Sequence, residues 1–129
     1  MAKHDLGLLR HCTSAGEPLN PGVIRAWRDG TGGLTIYDGY GQSETTCLVA
    51  NYRAMPVRPQ LGRPVPGWTV EVLGDDGRPA PNDVVGNIAV RYGDTPIGLF
   101  VEYHGDAEAN AKAFRDGFST TAKRQGVAR

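Results

Sequence analysis

Glycine and proline interrupt this chain so often that no element of it can run long. Eighteen glycines and nine prolines fall among 129 residues, and each loosens a helix, removes a ladder donor or fixes a turn. That density excludes a helical bundle and predicts short strands and short helices joined by many turns. The remainder has the composition of an ordinary soluble globular protein, 40% apolar and 22% charged. Fourteen basic residues balance fourteen acidic ones, so the whole-molecule field that draws a protein to nucleic acid or to an anionic membrane is missing, and neither is expected as a partner. No apolar run approaches the roughly 20 residues needed to cross a bilayer. The first ten residues hold no signal-peptide core, and the expected location is cytoplasmic.

Four segments follow from the punctuation. Residues 1–54 read as an α/β segment. Leu6 to Thr13 forms a strand stopped by Ser14-Ala15-Gly16-Glu17-Pro18. Asn20 then caps a helix whose first residue is Pro21, with Val23, Ile24 and Trp27 along one face and Gly30, Gly32 and Gly33 ending it. Leu34 to Tyr37 is a second strand, which makes a strand-helix-strand unit of the kind that lays a helix over a parallel sheet. One helix leaves most of such a sheet uncovered, so self-association through the bare face is expected. Residues 55–67 carry Pro56, Pro59, Pro64 and Pro66 and read as a proline-rich extended linker.

Residues 68–119 read as a small antiparallel sheet or barrel with a short helix. Trp68 to Leu73 alternates as a strand does, Asp75-Asp76-Gly77 is a turn, and Gly86 to Tyr92 is a further strand. Asp106 caps the helix, with Ala107, Ala111 and Phe114 on one face and Gly117 just past its end. Residues 120–129 have three basic side chains and no acid and are expected to be a mobile basic tail. The fold class is therefore α+β: a strand-helix-strand edge of an α/β sandwich joined to a small distorted antiparallel β-barrel.

The chemistry is concentrated in Tyr37-Asp38-Gly39-Tyr40-Gly41-Gln42-Ser43-Glu44-Thr45-Thr46, at the end of the second expected strand. In open α/β sheets ligands collect outside the carboxyl ends of strands. Gly39 and Gly41 permit positive φ and close approach of a ligand, Tyr40 offers a flat face, and Ser43, Thr45 and Thr46 supply hydroxyls suited to phosphate oxygens. Glu44 is a hard oxygen ligand able to reach magnesium carried by a nucleotide. The loop Ser14 to Pro18 ends the neighbouring strand and opens on the same rim if the two strands are adjacent. His4, His11 and His104 share no helix face and make no metal site, and Cys12 and Cys47 read as two small, buried, reduced thiols.

The blocks Leu9-Arg10-His11-Cys12-Thr13-Ser14-Ala15-Gly16-Glu17-Pro18-Leu19-Asn20-Pro21, Tyr40-Gly41-Gln42-Ser43-Glu44-Thr45, Gly62-Arg63-Pro64 and Pro96-Ile97-Gly98-Leu99-Phe100 resemble the adenylate-forming acyl-coenzyme A synthetases, most of all the medium-chain acyl type, from about Leu6 to Thr121. The resemblance implies an enzyme that activates a carboxylic acid with ATP to an acyl-adenylate, releases pyrophosphate and passes the acyl group to coenzyme A. It implies that Gly16, Glu17 and Pro18 wall the adenine site, with Tyr40 against the base and Gly39, Gly41 and Gln42 adjoining. Ser43 stands where the family usually has threonine and keeps the hydroxyl that approaches the α-phosphate. Glu44 matches the family's Mg2+-binding glutamate.

The departures from that pattern carry their own expectations. The family's glycine-rich phosphate loop is not found between Met1 and Leu8. The Thr-Gly-Asp step whose aspartate holds the ribose reads Thr121-Ala122-Lys123, and Arg124 to Arg129 does not continue the family pattern. Glu102 stands in place of a glycine and Asn87 in place of an acid, and the small C-terminal domain is missing. A truncated reading frame, inactive as an isolated chain and with weak adenosine-nucleotide affinity at most, is the expectation. The alternative is a non-catalytic interaction module or pseudoenzyme acting through its exposed sheet face.

Overall fold

The computed structural model describes residues 4–58, 61–93 and 97–126, with backbone alone over 121–126. Two compact units emerge, one from Met1–Gly41 with Val49–Arg63 and the other from Gln42–Leu48 with Pro64–Arg129.

The first unit opens on β1 (Cys12–Ser14) and α1 (Pro21–Gly30) and continues into β2 (Ile36–Gln42). Helix α1 starts where the sequence places it. The Asn20 side chain accepts a hydrogen bond from the Gly22 N–H at 2.7 Å, and Pro21 takes the first helical position. Its end is equally local: the Thr31 N–H and hydroxyl both donate to the Trp27 carbonyl, and Gly32 turns left-handed. Strands β1 and β2 pair in parallel, with Cys12 opposite Ile36 and Ser14 opposite Asp38, so the expected strand-helix-strand unit is present. Its strands are placed differently. Leu6 to His11 is not strand, because only Cys12–Ser14 finds a partner, whereas β2 runs on through Gly39, Tyr40 and Gly41.

Strand β3 (Thr46–Ala50) follows a tight turn, and the short β4 (Arg63–Pro64) closes a four-stranded sheet in the order β1-β2-β3-β4. The expected linker therefore contains a strand; Pro59 of that stretch lies outside the described residues. Just after β3, Asn51 is 5% exposed and fully engaged. Its amide nitrogen donates to Asp38 Oδ1 at 2.9 Å and to the Arg58 carbonyl at 3.1 Å, while its Oδ1 accepts from the Arg58 N–H at 2.8 Å. The Asn51 N–H donates to the Asp38 carbonyl. One side chain thus ties residues 51–58 to the middle of β2. Gly62 returns the chain against Ala50, where a Cβ would lie 2.3 Å from the Ala50 carbonyl at a φ of +92°; glycine alone fits there.

In the second unit β5 (Val70–Leu73), β6 (Val85–Arg91), β7 (Phe114–Arg115) and β8 (Phe118–Gly126) form an antiparallel sheet ordered β5-β6-β8-β7, with α2 (Ala107–Ala113) leading into β7. The alternation of a strand assigns its faces. Val70 and Val72 lie opposite Val90 and Ile88 on one side. On the other lie Leu73, Ala89 and Phe118, where Arg91 pairs with Glu71 at 2.6 Å and holds its guanidinium 4.9 Å over the Phe118 ring. The turn at Asp75-Asp76-Gly77 forms, with the Gly77 N–H donating to the Gly74 carbonyl.

Three expectations are corrected here. The four strands make an open sheet among the described residues, not a closed barrel. The expected tail from Thr120 is instead strand as far as Gly126, because β6 offers it a ladder that the polarity of its side chains does not oppose; residues 127–129 lie outside the described residues. Phe114 belongs to β7, not to the helix, since Asp116 and Gly117 both take positive φ (52° and 82°) and form a two-residue hairpin between β7 and β8.

Asn51→Ala should destabilise the first unit by about 1–3 kcal/mol, because it leaves the Arg58 N–H and carbonyl with no side-chain partner. Asn20→Ala at the exposed cap should cost about 1 kcal/mol. Urea denaturation curves rank the two; equal midpoints would contradict the role assigned to Asn51.

Candidate functional site

Each unit holds its own part of the residues singled out from the sequence. In the first unit β1 gives way to Gly16, Glu17 and Pro18, all exposed, with Gly16 at a φ of +99°. The register that sets Ser14 against Asp38 brings the exit of β1 level with the middle of β2, next to Gly39 and Tyr40. Gly39 and Gly41 lie within the extended strand, so neither belongs to a loop; pairing of β2 overrides the glycine signal for a turn. Tyr40 is 8% exposed, so most of its ring is buried. His11 stacks on Tyr37 with ring centroids 4.9 Å apart.

In the second unit the chemistry sits on the turn between β2 and β3. Gln42, Ser43, Glu44 and Thr45 make that turn, closed by the Thr45 N–H donating to the Gln42 carbonyl at 3.1 Å. Thr45 is 1% exposed, and its hydroxyl accepts from the Gln42 N–H at 3.3 Å and donates to the Thr46 carbonyl at 3.4 Å. That hydroxyl therefore builds the turn and is not a donor for a phosphate, a correction to the sequence reading. Thr46 takes a φ of 55°, which a residue with a branched Cβ adopts only when its surroundings hold it there. Ser43 is left at the exposed tip, and Glu44 is half-buried beside it.

Glu44 is held from two directions. The Phe100 N–H donates to its carbonyl at 2.7 Å, and the Tyr103 hydroxyl donates to its Oε1 at 2.9 Å. The Phe100 ring lies against Tyr103 and Phe114 at centroid distances of 4.7 and 5.0 Å, and Tyr92 meets Phe114 edge-on. Sequence reasoning did not find Tyr103: it is 59 positions from Glu44 and no local pattern marks it. Of the departures noted above, Glu102 is exposed and Asn87 lies in β6 opposite Leu73. Thr121 to Lys123 lie in β8, with their side chains outside the described residues. Neither cysteine is in a disulfide, as expected, but Cys47 is exposed rather than buried. Among the described residues, no three His, Cys, Asp or Glu side chains gather to hold a metal ion.

The Tyr103 phenol is raised above its ordinary value of 10.0, first by its hydrogen bond to Glu44, then by partial burial and by the Glu44 charge. The bond needs the phenolic proton, so the stabilisation it gives is complete below pH 10.0 and is lost as pH rises through the raised value of the folded state. An ultraviolet difference titration of the wild type against Tyr103→Phe should place this ionisation above 10.0. In Glu44→Ala it should return toward that value; an unmoved titration would contradict the contact.

Comparison with known proteins covers most of the chain. The sequence matches the family described as AMP-binding enzyme over residues 1–100. It is 42% identical over 118 residues to the mitochondrial acyl-coenzyme A synthetase ACSM3 of Rattus norvegicus, covering 90% of this chain and 20% of that protein. It is 44% identical over 115 residues to 4-hydroxybutyrate–CoA ligase 1 of Metallosphaera sedula, covering 88% of this chain and 20% of that protein. The chain thus spans about a fifth of the length of these relatives. In structure it is similar to an anthranilate CoA ligase solved with anthranoyl-AMP, with a TM-score of 0.86, 29% identity, and 98% of this chain and 24% of that chain covered. It is similar also to ATP-bound MatB of Rhodopseudomonas palustris, with a TM-score of 0.82, 27% identity, and 95% and 24% covered.

Proposed function

This chain belongs to the AMP-binding enzyme family, and from that premise we propose that it is the nucleotide-contacting segment of an AMP-forming acyl-coenzyme A synthetase. The reaction joins a carboxylic acid to ATP as an acyl-adenylate, with pyrophosphate leaving, and then transfers the acyl group to coenzyme A. The observation that carries this reading is the Gln42–Thr45 turn, which presents the Ser43 hydroxyl at its tip and fixes the Glu44 carboxylate beside it.

In the first unit Gly16, Glu17 and Pro18 would contact the adenine, with Tyr40 and its neighbours Gly39 and Gly41 backing them. In the second, Gln42 shapes the turn, Ser43 would donate to the α-phosphate and Glu44 would hold Mg2+. A carboxylate that belongs to no group of three or more possible metal ligands among the described residues suits a magnesium ion that arrives with phosphate ligands and keeps several waters better than a cation bound by protein alone. The ion would supply neutralisation of charge at the reacting phosphate. Binding acid, nucleotide and thiol in register contributes much of the rate of such a reaction. The 129 residues by themselves are therefore assigned nucleotide affinity without turnover. A cytoplasmic location is proposed with this reading, on two cysteines that form no disulfide. Among the described residues no helix is long and apolar enough to cross a membrane.

Thermal unfolding with and without magnesium ATP tests the assignment, since a ligand that binds only the folded state raises its stability by mass action. The transition should rise in the wild type at millimolar nucleotide, on the order of a few degrees, and the rise should disappear in Glu44→Ala. An equal rise in both proteins would remove Glu44 from the site.

One observation favours a second reading. Val23 and Ile24 on α1 are 52% and 37% exposed, and an apolar helix stripe left open favours an interaction module that self-associates. Light scattering at high concentration should then give a mass above 13.8 kDa, lowered by Val23→Ser with Ile24→Ser; a monomer throughout would end that reading.

A further inference from the structure

The contact between Tyr103 and Glu44 is the end of a longer relay that lies wholly within the second unit. Asp106 caps α2 by accepting from the Ala109 N–H at 2.9 Å. One turn along, Asn110 closes a reciprocal pair on the main chain of Tyr103: the Tyr103 N–H donates to Asn110 Oδ1 at 2.7 Å, and Asn110 Nδ2 donates to the Tyr103 carbonyl at 2.9 Å. The Asp106 N–H reaches the same carbonyl at 3.2 Å. Tyr103 is thereby pinned at its backbone by a helix and at its ring by Phe100, and its hydroxyl donates to Glu44 Oε1. The Glu44 main chain is fixed by Phe100 from the same four-residue stretch. Neither Tyr103 nor Asn110 was marked as functional by the sequence.

The consequence lies in which carboxylate oxygen remains. With Oε1 accepting the Tyr103 proton, Glu44 has Oε2 to offer, and no other group among the described residues hydrogen-bonds to it. A carboxylate presenting one oxygen ligates in monodentate fashion. Mg2+ is small, holds a strict octahedral shell and takes one carboxylate oxygen alongside phosphates and water, whereas Ca2+ takes six to eight ligands and readily accepts a bidentate carboxylate.

We propose that Tyr103, set in place by Asn110, is a positioning residue that restricts Glu44 to one ligating oxygen and so makes the turn select Mg2+ over Ca2+ on a bound nucleotide. This rests on the reading of Glu44 as the cation ligand. Removing the phenolic oxygen frees Oε1, lets the carboxylate rotate, and opens a bidentate mode that favours the larger ion. Outer partners of metal ligands commonly alter affinity by about 10–100-fold when removed.

The test is binding, not turnover. Mn2+ with ATP, followed by electron paramagnetic resonance on the full chain, reports occupancy, and competition by Mg2+ and by Ca2+ gives the affinity for each. In Tyr103→Phe, which keeps the ring on Phe100, the affinity for Mg2+ should fall about tenfold while that for Ca2+ holds or rises, so the preference narrows. Asn110→Ala should narrow it in the same direction and serves as the second probe should the first variant fold poorly. A purely structural role would move the unfolding temperature and leave the ratio of the two ions alone. If Glu44→Gln abolishes Mn2+ binding but both relay variants keep the wild-type ratio, the inference fails and the ligand assignment stands. If Glu44→Gln binds Mn2+ with ATP as the wild type does, or the wild type takes up none, the ligand assignment falls and the inference with it.

Discussion

The turn between β2 and β3 has to close on itself before any residue on it can act, and one hydroxyl does the closing. Thr45 is buried at 1% exposure, and its Oγ1 accepts from the Gln42 N–H while its own N–H reaches the Gln42 carbonyl. A buried main-chain donor left without a partner costs on the order of 1–3 kcal/mol, so this hydroxyl is needed where it stands. The reversal also forces Thr46 to a positive φ, a conformation that costs a residue with a branched Cβ about 1–3 kcal/mol. Strain of that kind persists only where the surroundings over-determine it. Here the ladder of β3 on one side and the hydrogen bonds of the turn on the other supply the constraint.

The four polar residues of this short segment therefore divide by role. The Thr45 hydroxyl is consumed by the turn, Thr46 takes its backbone strain with the side chain exposed, and Ser43 and Glu44 are what the geometry presents. Side chains of the same chemical type, two positions apart, end up as a structural brace and as an exposed donor because a tight turn buries one and projects the other. Residue type alone cannot make that distinction. It emerges only when the backbone donors of the turn are each assigned an acceptor.

The same rule explains which features were legible in the sequence. The cap at Asn20 and Pro21, the stop at Gly32, the turn at Asp75-Asp76-Gly77 and the cap at Asp106 all depend on residues within four positions of one another, and all formed as read. The parallel pairing of β1 with β2 was legible because a helix between two strands admits few other arrangements. Gly39 and Gly41 were misread as loop because their propensity is real but weaker than a ladder that needs their backbone extended. Residues 120–126 were misread because charge argues for a solvated tail, whereas the main chain of β6 offers this stretch a ladder of backbone partners whatever its side chains are. The Asp116-Gly117 hairpin was misread although its signal was present: the same glycine serves as a helix stop or as half of a two-residue turn, and only the pairing of Phe114 with Ser119 decides.

Of the candidate site, the ligand side was legible and its support was not. The Tyr40 to Glu44 block stands out in one dimension because its residue types are chemically distinctive. The groups that hold Glu44 come from Phe100, Tyr103 and, through Tyr103, Asn110, and nothing in their own neighbourhood says that a carboxylate 59 positions earlier requires them. Yet this support gives the carboxylate its orientation. A glutamate on an exposed turn samples several rotamers and loses side-chain entropy on binding any ligand. One held by a phenol whose own backbone is clamped to a helix has met much of that cost during folding. The aromatic stack beneath it, Phe100 between Tyr103 and Phe114, explains why the clamp sits there. It is apolar and packs on the Tyr103 ring, so it holds the phenol in place although the hydrogen bond itself is exposed, and it anchors to the start of β7, the strand that follows α2 directly.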